Sequence, residues 1–111
     1  MTRAPVEISV LELRERLQRD GHNLVVLDCR EPEEVAIARI SGTTHIPMGD
    51  IPARCGELDP DLETVVYCHH GARSMKVAVW LLEQAGFARV LSLRGGIDAW
   101  SCEVDPTVPR Y

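Results

Sequence analysis

The segment TVVYCHHGAR, residues 64–73, joins a short apolar run rich in β-branched residues to the start of a long helical pattern. The apolar run ends at Cys68 and the helical pattern begins just after Gly71, which predicts a strand, a tight loop and a helix start. A cysteine at such a corner faces the positive end of the helix dipole and unpaired backbone N–H groups, which favour the thiolate over the thiol. The segment therefore offers a candidate catalytic nucleophile, Cys68.

The loop after Cys68 carries residues suited to holding an anion. Gly71 permits the unusual backbone dihedrals that a cup of N–H groups needs, and Arg73 adds a planar cation that suits sulfur or phosphorus oxyanions. A single cysteine is usually a small buried apolar residue, so it is the combined spacing of Cys68, Gly71 and Arg73 that favours catalysis. The predicted substrate-binding or anion-binding loop consists of His69, His70, Gly71, Ala72, Arg73 and Ser74.

The spacing between Cys68 and Arg73 favours sulfur chemistry over phosphate chemistry. Four residues separate the two, whereas cysteine-dependent phosphatases place one residue more between nucleophile and arginine. The shorter loop makes a tighter cup, which suits the exposed sulfur of thiosulfate or a persulfide better than a phosphate monoester. A phosphatase or an arsenate reductase is the alternative enzyme, and the loop length counts against the phosphatase.

The length of 111 residues is enough for one domain with its own core and too small for two. We predict a single domain over residues 1–105. Residues 106–111 contain two prolines and are expected to form a C-terminal tail that lies on or off the body.

The charge pattern argues against a nucleic-acid partner. The net charge is −5, the pI is near 5.3, and no basic block or stripe is present. Arg30, Arg73 and Arg94 each follow an apolar run, however, so we expect a locally positive site within an acidic protein.

The chain offers no segment for membrane binding, and no cofactor is expected. Its first ten residues lack the apolar core of a signal peptide, which predicts a cytoplasmic location with reduced cysteines. No cysteine pair has the C-x2-C spacing of a zinc site. His69 and His70 follow Cys68 directly, but neighbours in a tight loop are expected to point in different directions, so no metal is predicted.

Strand patterns alternate with helical patterns along the chain. Strands are expected near 6–8, 24–27, 43–47, 64–68 and 90–93, and helices after Ser9, from Pro32, near 51–58, over 74–85 and after Gly96. This order predicts a three-layer α/β/α fold with a mainly parallel sheet of about five strands. In the long helix, the predicted core-facing stripe is Met75, Ala78, Val79 and Leu82.

Parallel sheets bind ligands beyond the carboxyl ends of their strands. The loops after Leu27 and Leu93 should therefore reach the same rim as Cys68, and the supporting rim residues are Asp28, Arg30 and Arg94. We interpret Asp28 and Arg30 as a structural pair rather than as direct participants, since ion pairs are more often structural than catalytic.

Three sequence blocks stand out: Asp28, Arg30 and Glu34 with Ile40, Gly42, Ile46 and Pro47; CHHGARS at 68–74; and Gly95-Gly96 with Trp100. They resemble the signatures of the rhodanese family of thiosulfate and related sulfurtransferases, and the likeness extends from about residue 8 to residue 100. Two positions differ from the usual first signature, where Ala38-Arg39 and His45 replace Gly-His and Asn.

The resemblance implies a rhodanese-like fold and a sulfurtransferase. Such an enzyme moves sulfane sulfur from thiosulfate or a persulfide donor to a thiol or cyanide acceptor through a persulfide on Cys68. The loop N–H groups would stabilise the anionic persulfide, and Arg73 would hold the oxyanion end of the donor. The implied partners are these small molecules and a sulfur-relay protein. The alternative from another class is a non-turnover sulfur carrier or regulatory binding module fed by a partner protein.

Overall fold

Strands and helices alternate along the chain. The structure is a computed structural model, and it describes residues 6–111. The elements are β1 Val6–Ile8, α1 Val10–Asp20, β2 Leu24–Asp28, α2 Pro32–Ile37, β3 Thr44–His45, α3 Ile51–Arg54, β4 Glu63–Tyr67, α4 Ala72–Gln84, β5 Val90–Leu93 and α5 Gly96–Glu103. Short 3₁₀ turns lie at Gly21–Asn23, Met48–Asp50 and Cys55–Glu57.

The strands form one parallel sheet in the order β1-β5-β4-β2-β3. Neighbouring residues of a strand point to opposite faces, so Val65 belongs to the core cluster shared with α1 and α5, and Val66 to the cluster shared with α3 and α4. The predicted three-layer α/β/α fold with five strands is confirmed.

The first two helices, α1 and α2, begin at the capping residue and the proline that the sequence indicates. The Ser9 hydroxyl accepts a hydrogen bond from the Glu12 N–H at 3.1 Å, and the Glu12 carboxylate accepts one from the Ser9 N–H at 3.3 Å. This capping box satisfies two otherwise unpaired donors at the start of α1. Pro32 is the first residue of α2, where its missing N–H is not needed.

The core-facing stripe of α4 differs from the predicted one. The buried residues are Ser74, Val77, Ala78 and Leu81, so the stripe is shifted by one residue from Met75, Ala78, Val79 and Leu82. The apolar pattern is compatible with both stripes, because valine and leucine residues occupy both faces. The observed stripe begins with a buried polar residue, Ser74, in the first turn of the helix.

The carboxyl ends of β2, β4 and β5 meet at one edge of the sheet. Asp28 pairs in register with Tyr67, and Val66 with Ser92. The loops after β2 and β5 therefore lie on either side of Cys68, which directly follows β4. This arrangement agrees with the rim expected from the sequence.

Residues 106–111 lie on the body. Val108 is 8% exposed and belongs to the core, and its carbonyl accepts a hydrogen bond from the Ser101 hydroxyl of α5. The predicted tail therefore packs against the sheet-covering helices. Among the helices of the described residues, none is long and apolar enough to cross a membrane.

Candidate active site

Cys68 lies at the carboxyl end of β4 with its side chain almost fully buried, at 1% exposure. The backbone N–H groups of Gly71 and Ser74 donate to Cys68 Sγ at 3.1 and 3.3 Å. Gly71 has a φ of 116° and is the N-cap of α4, so glycine permits the turn that aims these donors at the sulfur. Two fixed donors at a helix start stabilise a negative charge on that sulfur.

Two serine hydroxyls lie beneath the loop. Ser74 Oγ is 3.5 Å from Cys68 Sγ, donates to the Gly71 carbonyl at 3.1 Å and lies 2.8 Å from Ser92 Oγ. Both serines are completely buried. Ser92 thus connects β5 to the loop, a role that sequence analysis missed because one serine in a short apolar strand gives no signal.

The double glycine after β5 lets α5 approach the back of the loop. Gly96 has a φ of 59°, and a Cβ atom there would lie within 2.6 Å of the His69 carbonyl carbon. The N–H of Ile97 donates to the Cys68 carbonyl at 2.9 Å, and the N–H of Asp98 donates to the His69 carbonyl at 3.2 Å. The first turn of α5 therefore fixes the loop carbonyls on the side away from the sulfur.

Arg73 is paired with a carboxylate. Its two terminal nitrogens donate to the two oxygens of Glu34 at 2.6 and 2.8 Å, which is a bidentate salt bridge between α4 and α2. Both terminal nitrogens of Arg73 are thus engaged by Glu34, and the role of Arg73 in holding the oxyanion end of a donor stays a prediction. Glu34, known from the sequence only as part of a signature, proves to be the partner that holds Arg73 beside the loop.

Asp28 and Arg30 form a buried ion pair. Arg30 Nη2 and Nε donate to the Asp28 carboxylate at 2.7 and 2.9 Å, and Arg30 is completely buried. Arg30 also donates to the carbonyls of Glu34 and Ala38, at the end of α2. The pair therefore fixes the helix that carries Glu34, and it acts on the loop through that carboxylate.

The site is less positive than the sequence suggested. Arg73 is paired with Glu34, Arg30 with Asp28, and Arg94 lies 3.6 Å from Glu7 with its side chain 62% exposed. The expected local positive charge is wrong, because each arginine has an acidic neighbour. Arg94 as a rim residue stays a prediction; the residues that follow it, Gly96, Ile97 and Asp98, contact the loop.

The two histidines of the loop lie side by side. Their rings stack with centroids 3.8 Å apart, and the His69 ring also stacks on Tyr111 at 3.9 Å. The assumption that they point in different directions is wrong. Nitrogen atoms of both lie within 4.8 Å of an Asp98 oxygen, which is a geometry a metal ion could use, but the Asp98 carboxylate is already paired with Arg110 at 2.9 Å. The prediction of no metal stays a prediction.

Cys29 is a second cysteine near Cys68. It follows β2 as Cys68 follows β4, and both side chains belong to the same core cluster. Burial, and secondarily the nearby Cys68, raise the pKa of the Cys29 thiol to about 12. Cys29 therefore stays protonated near neutral pH and is not a candidate thiolate nucleophile there.

Replacing Glu34 by glutamine should reduce stability in a pH-dependent way. The hydrogen bonds from Arg73, and secondarily from Tyr111, lower the pKa of Glu34 from its ordinary value of 4.5 to about 2. A carboxyl group with a depressed pKa stabilises the fold above pH 4.5, and that contribution is lost as the pH falls from 4.5 towards 2. After allowance for solvent screening, we expect Glu34→Gln to lose about 2 kcal/mol of unfolding free energy at pH 7.

Urea unfolding of both proteins at pH values between 7 and 3 measures this difference, which should shrink towards the acid end. The matched control is Glu57→Gln. Glu57 is paired with Arg54, which lowers its pKa, but the two side chains are 54% and 41% exposed and the expected loss is smaller. A loss for Glu34→Gln that stays constant down to pH 3 would contradict the assigned ion pair.

Comparison with known proteins gives a consistent result. A sequence profile of the Rhodanese-like domain matches residues 9–103. A protein of Allochromatium vinosum named Sulfurtransferase is 41% identical over 95 residues, covering 86% of this chain and 87% of that protein. Putative sulfurtransferase YtwF of Bacillus subtilis is 44% identical over 100 residues, covering 90% and 94%. A solved rhodanese-like domain protein from Staphylococcus aureus superposes with a TM-score of 0.79 at 26% identity, covering 96% of this chain and 98% of that one.

Proposed function

The chain belongs to the rhodanese-like domain family, and from that premise we propose that it is a sulfurtransferase that carries sulfane sulfur as a persulfide on Cys68. The observation that carries the proposal is the pair of backbone N–H groups, from Gly71 and Ser74, that donate to Cys68 Sγ. They stabilise a sulfur anion without any titratable group, so the same donors serve the thiolate before transfer and the persulfide after it.

In the first half of the reaction, the Cys68 thiolate attacks the outer sulfur of thiosulfate. A bond forms between Cys68 Sγ and that sulfur, the sulfur–sulfur bond of thiosulfate breaks, and sulfite leaves with the bonding electron pair. No general acid is needed, because sulfite is a good leaving group. The enzyme now carries the transferred sulfur covalently, which divides the transfer into two easier steps.

In the second half, a thiolate or cyanide attacks the outer sulfur of the persulfide. The bond from Cys68 Sγ to that sulfur breaks, and its electron pair returns to Cys68 as a thiolate. Cyanide leaves as thiocyanate, and a thiol acceptor leaves as a new persulfide. The cycle balances without a redox partner or a cofactor, and a sulfur-relay protein could serve as the thiol acceptor.

Turnover with alternative donors tests the reaction class. With cyanide as acceptor, we expect thiosulfate to give steady thiocyanate formation, while an aryl phosphate is hydrolysed at no more than about a hundredth of that rate, because the loop is one residue shorter than in phosphatases. The rates are measured at equal substrate concentration, with Cys68→Ser as the background.

The opposite order of rates would contradict the proposal. Transfer from a persulfide-bearing protein together with no transfer from thiosulfate would instead support the sulfur-carrier alternative. Both functions require Cys68, so the identity of the productive donor is what separates them.

A further inference from the structure

Tyr111 contacts three parts of the site at once. Its ring lies flat on the His69 imidazole, with centroids 3.9 Å apart and planes within 6° of each other. Its hydroxyl donates to Glu34 Oε2 at 2.8 Å and accepts from Arg30 Nη1 at 2.9 Å. One side chain therefore touches the residue after Cys68, the partner of Arg73 and the buried arginine that fixes α2.

Residues 105–111, here called the strap, hold Tyr111 in this position. Val108 is buried in the core, and its carbonyl is bonded to the Ser101 hydroxyl. Arg110 donates to both oxygens of Asp98 at 2.9 and 3.3 Å, which ties the strap to the first turn of α5. The residues just before Tyr111 are thus anchored at two points. Because they are already ordered, the chain loses little further conformational entropy when the Tyr111 ring packs against the loop.

We propose that Tyr111 is a positioning residue for sulfur transfer at Cys68, an inference that rests on the function proposed above. The ring restrains His69, which follows the nucleophile directly. The hydroxyl restrains Glu34 and, through it, Arg73, which directly precedes the donor Ser74. Tyr111 thus supports the loop from both ends of the segment whose N–H groups point at the sulfur.

The ring and the hydroxyl of Tyr111 make different contacts, so two substitutions can separate their effects. Tyr111→Phe keeps the stack on His69 and removes the hydrogen bonds to Glu34 and Arg30. Tyr111→Ala removes both. Because the ring keeps its stack while the hydroxyl contacts to Glu34 and Arg30 are lost, we expect Tyr111→Phe to lower kcat/KM for thiosulfate by about threefold to tenfold, and Tyr111→Ala to lower it further.

Hydrogen exchange separates positioning of the loop from general stability. Exchange of the amides in residues 68–75 is compared with exchange of the β2 amides in residues 24–27, because Asp28, at the end of β2, is the residue of that strand bonded to the Arg30 side chain that Tyr111 contacts. A positioning role predicts faster exchange of the loop relative to β2 in both Tyr111 variants. A merely structural role predicts equal acceleration in the two segments.

Thr107→Ala is the matched control, because Thr107 lies in the strap and its hydrogen bonds reach only Asp105. It should leave both kcat/KM and loop exchange unchanged. Unchanged loop exchange in both Tyr111 variants would overturn the inference. This readout needs no turnover, so an inactive wild-type protein would refute the proposed function while exchange still decided the role of Tyr111.

Discussion

A Cys68→Ser variant is expected to lose transfer of sulfur from thiosulfate to cyanide by at least about a thousandfold. A serine hydroxyl is not ionised near neutral pH, and it cannot form the persulfide on which both half-reactions depend. The smaller oxygen still accepts from the N–H groups of Gly71 and Ser74, whose positions are set by α4 and not by the sulfur. The loss should therefore be chemical rather than a failure to fold, as thiocyanate assays combined with thermal unfolding would show.

Cys102→Ser is the control for this prediction. Cys102 is an exposed free cysteine on α5, and its replacement should leave both turnover and Tm close to those of the wild type. If Cys68→Ser kept more than about a tenth of the activity, another thiol would have to carry the sulfur. Cys29 would then be the first to replace, since it is, like Cys68, a buried member of the same core cluster.

The second large effect is expected for Gly96→Ala. The φ of 59° disfavours any residue with a Cβ, and that atom would overlap the carbonyl groups of Cys68 and His69. Backbone cannot move aside as a flexible side chain can, so the loop or α5 must shift. We expect a loss of about 3 kcal/mol in unfolding free energy, a fall in Tm on the order of 10 °C and a large loss of turnover.

Gly49→Ala is the matched substitution. Gly49 lies in the 3₁₀ turn after β3, has no positive φ, and an added Cβ there meets nothing within 4 Å. Its Tm should change by no more than a few degrees. Equal Tm values for the two alanine variants would contradict the close approach of α5 to the active-site loop.

Backbone N–H groups, rather than charged side chains, are the groups that donate to Cys68 Sγ in the candidate site. Each arginine near the loop has an acidic neighbour, whereas the N–H groups that reach Cys68 Sγ are fixed by the start of α4. Arg73 and Glu34 neutralise each other and tie α4 to α2. The ion pairs therefore hold α2 and α4 in position, and the N–H groups at the start of α4 stabilise negative charge on Cys68 Sγ.

The order of elements could be predicted from local signals in the sequence. Each of these signals predicts only the residues around it, and the structure has the predicted element in each case. The signals are the apolar runs of β2 and β4, the Ser9 capping box and Pro32. Cys68, Gly71 and the double glycine also lie at turns, where a few residue types are physically permitted. Sequence reasoning is strongest where the cause of the structure lies within a few residues.

The missed features depend on contacts between distant parts of the chain. Glu34 and Arg73 are far apart in sequence, and nothing local shows that they form a salt bridge. Ser74 faces inward, where its hydroxyl lies 2.8 Å from that of Ser92 on β5, and the buried stripe of α4 is shifted by one residue from the predicted one. Tyr111 lies in a segment without periodicity. Such pairings depend on how the chain folds, so they are seen only in the three-dimensional structure.

The most direct test of the account is the intact mass of the reduced protein after incubation with thiosulfate, and again after addition of cyanide. We predict a gain of one sulfur atom, located on Cys68 by peptide mapping, that cyanide removes and that Cys68→Ser lacks. A protein whose Cys68 is reduced and open to alkylation, yet gains no sulfur, would contradict thiosulfate as the donor. A gain located on another cysteine would contradict Cys68 as the nucleophile.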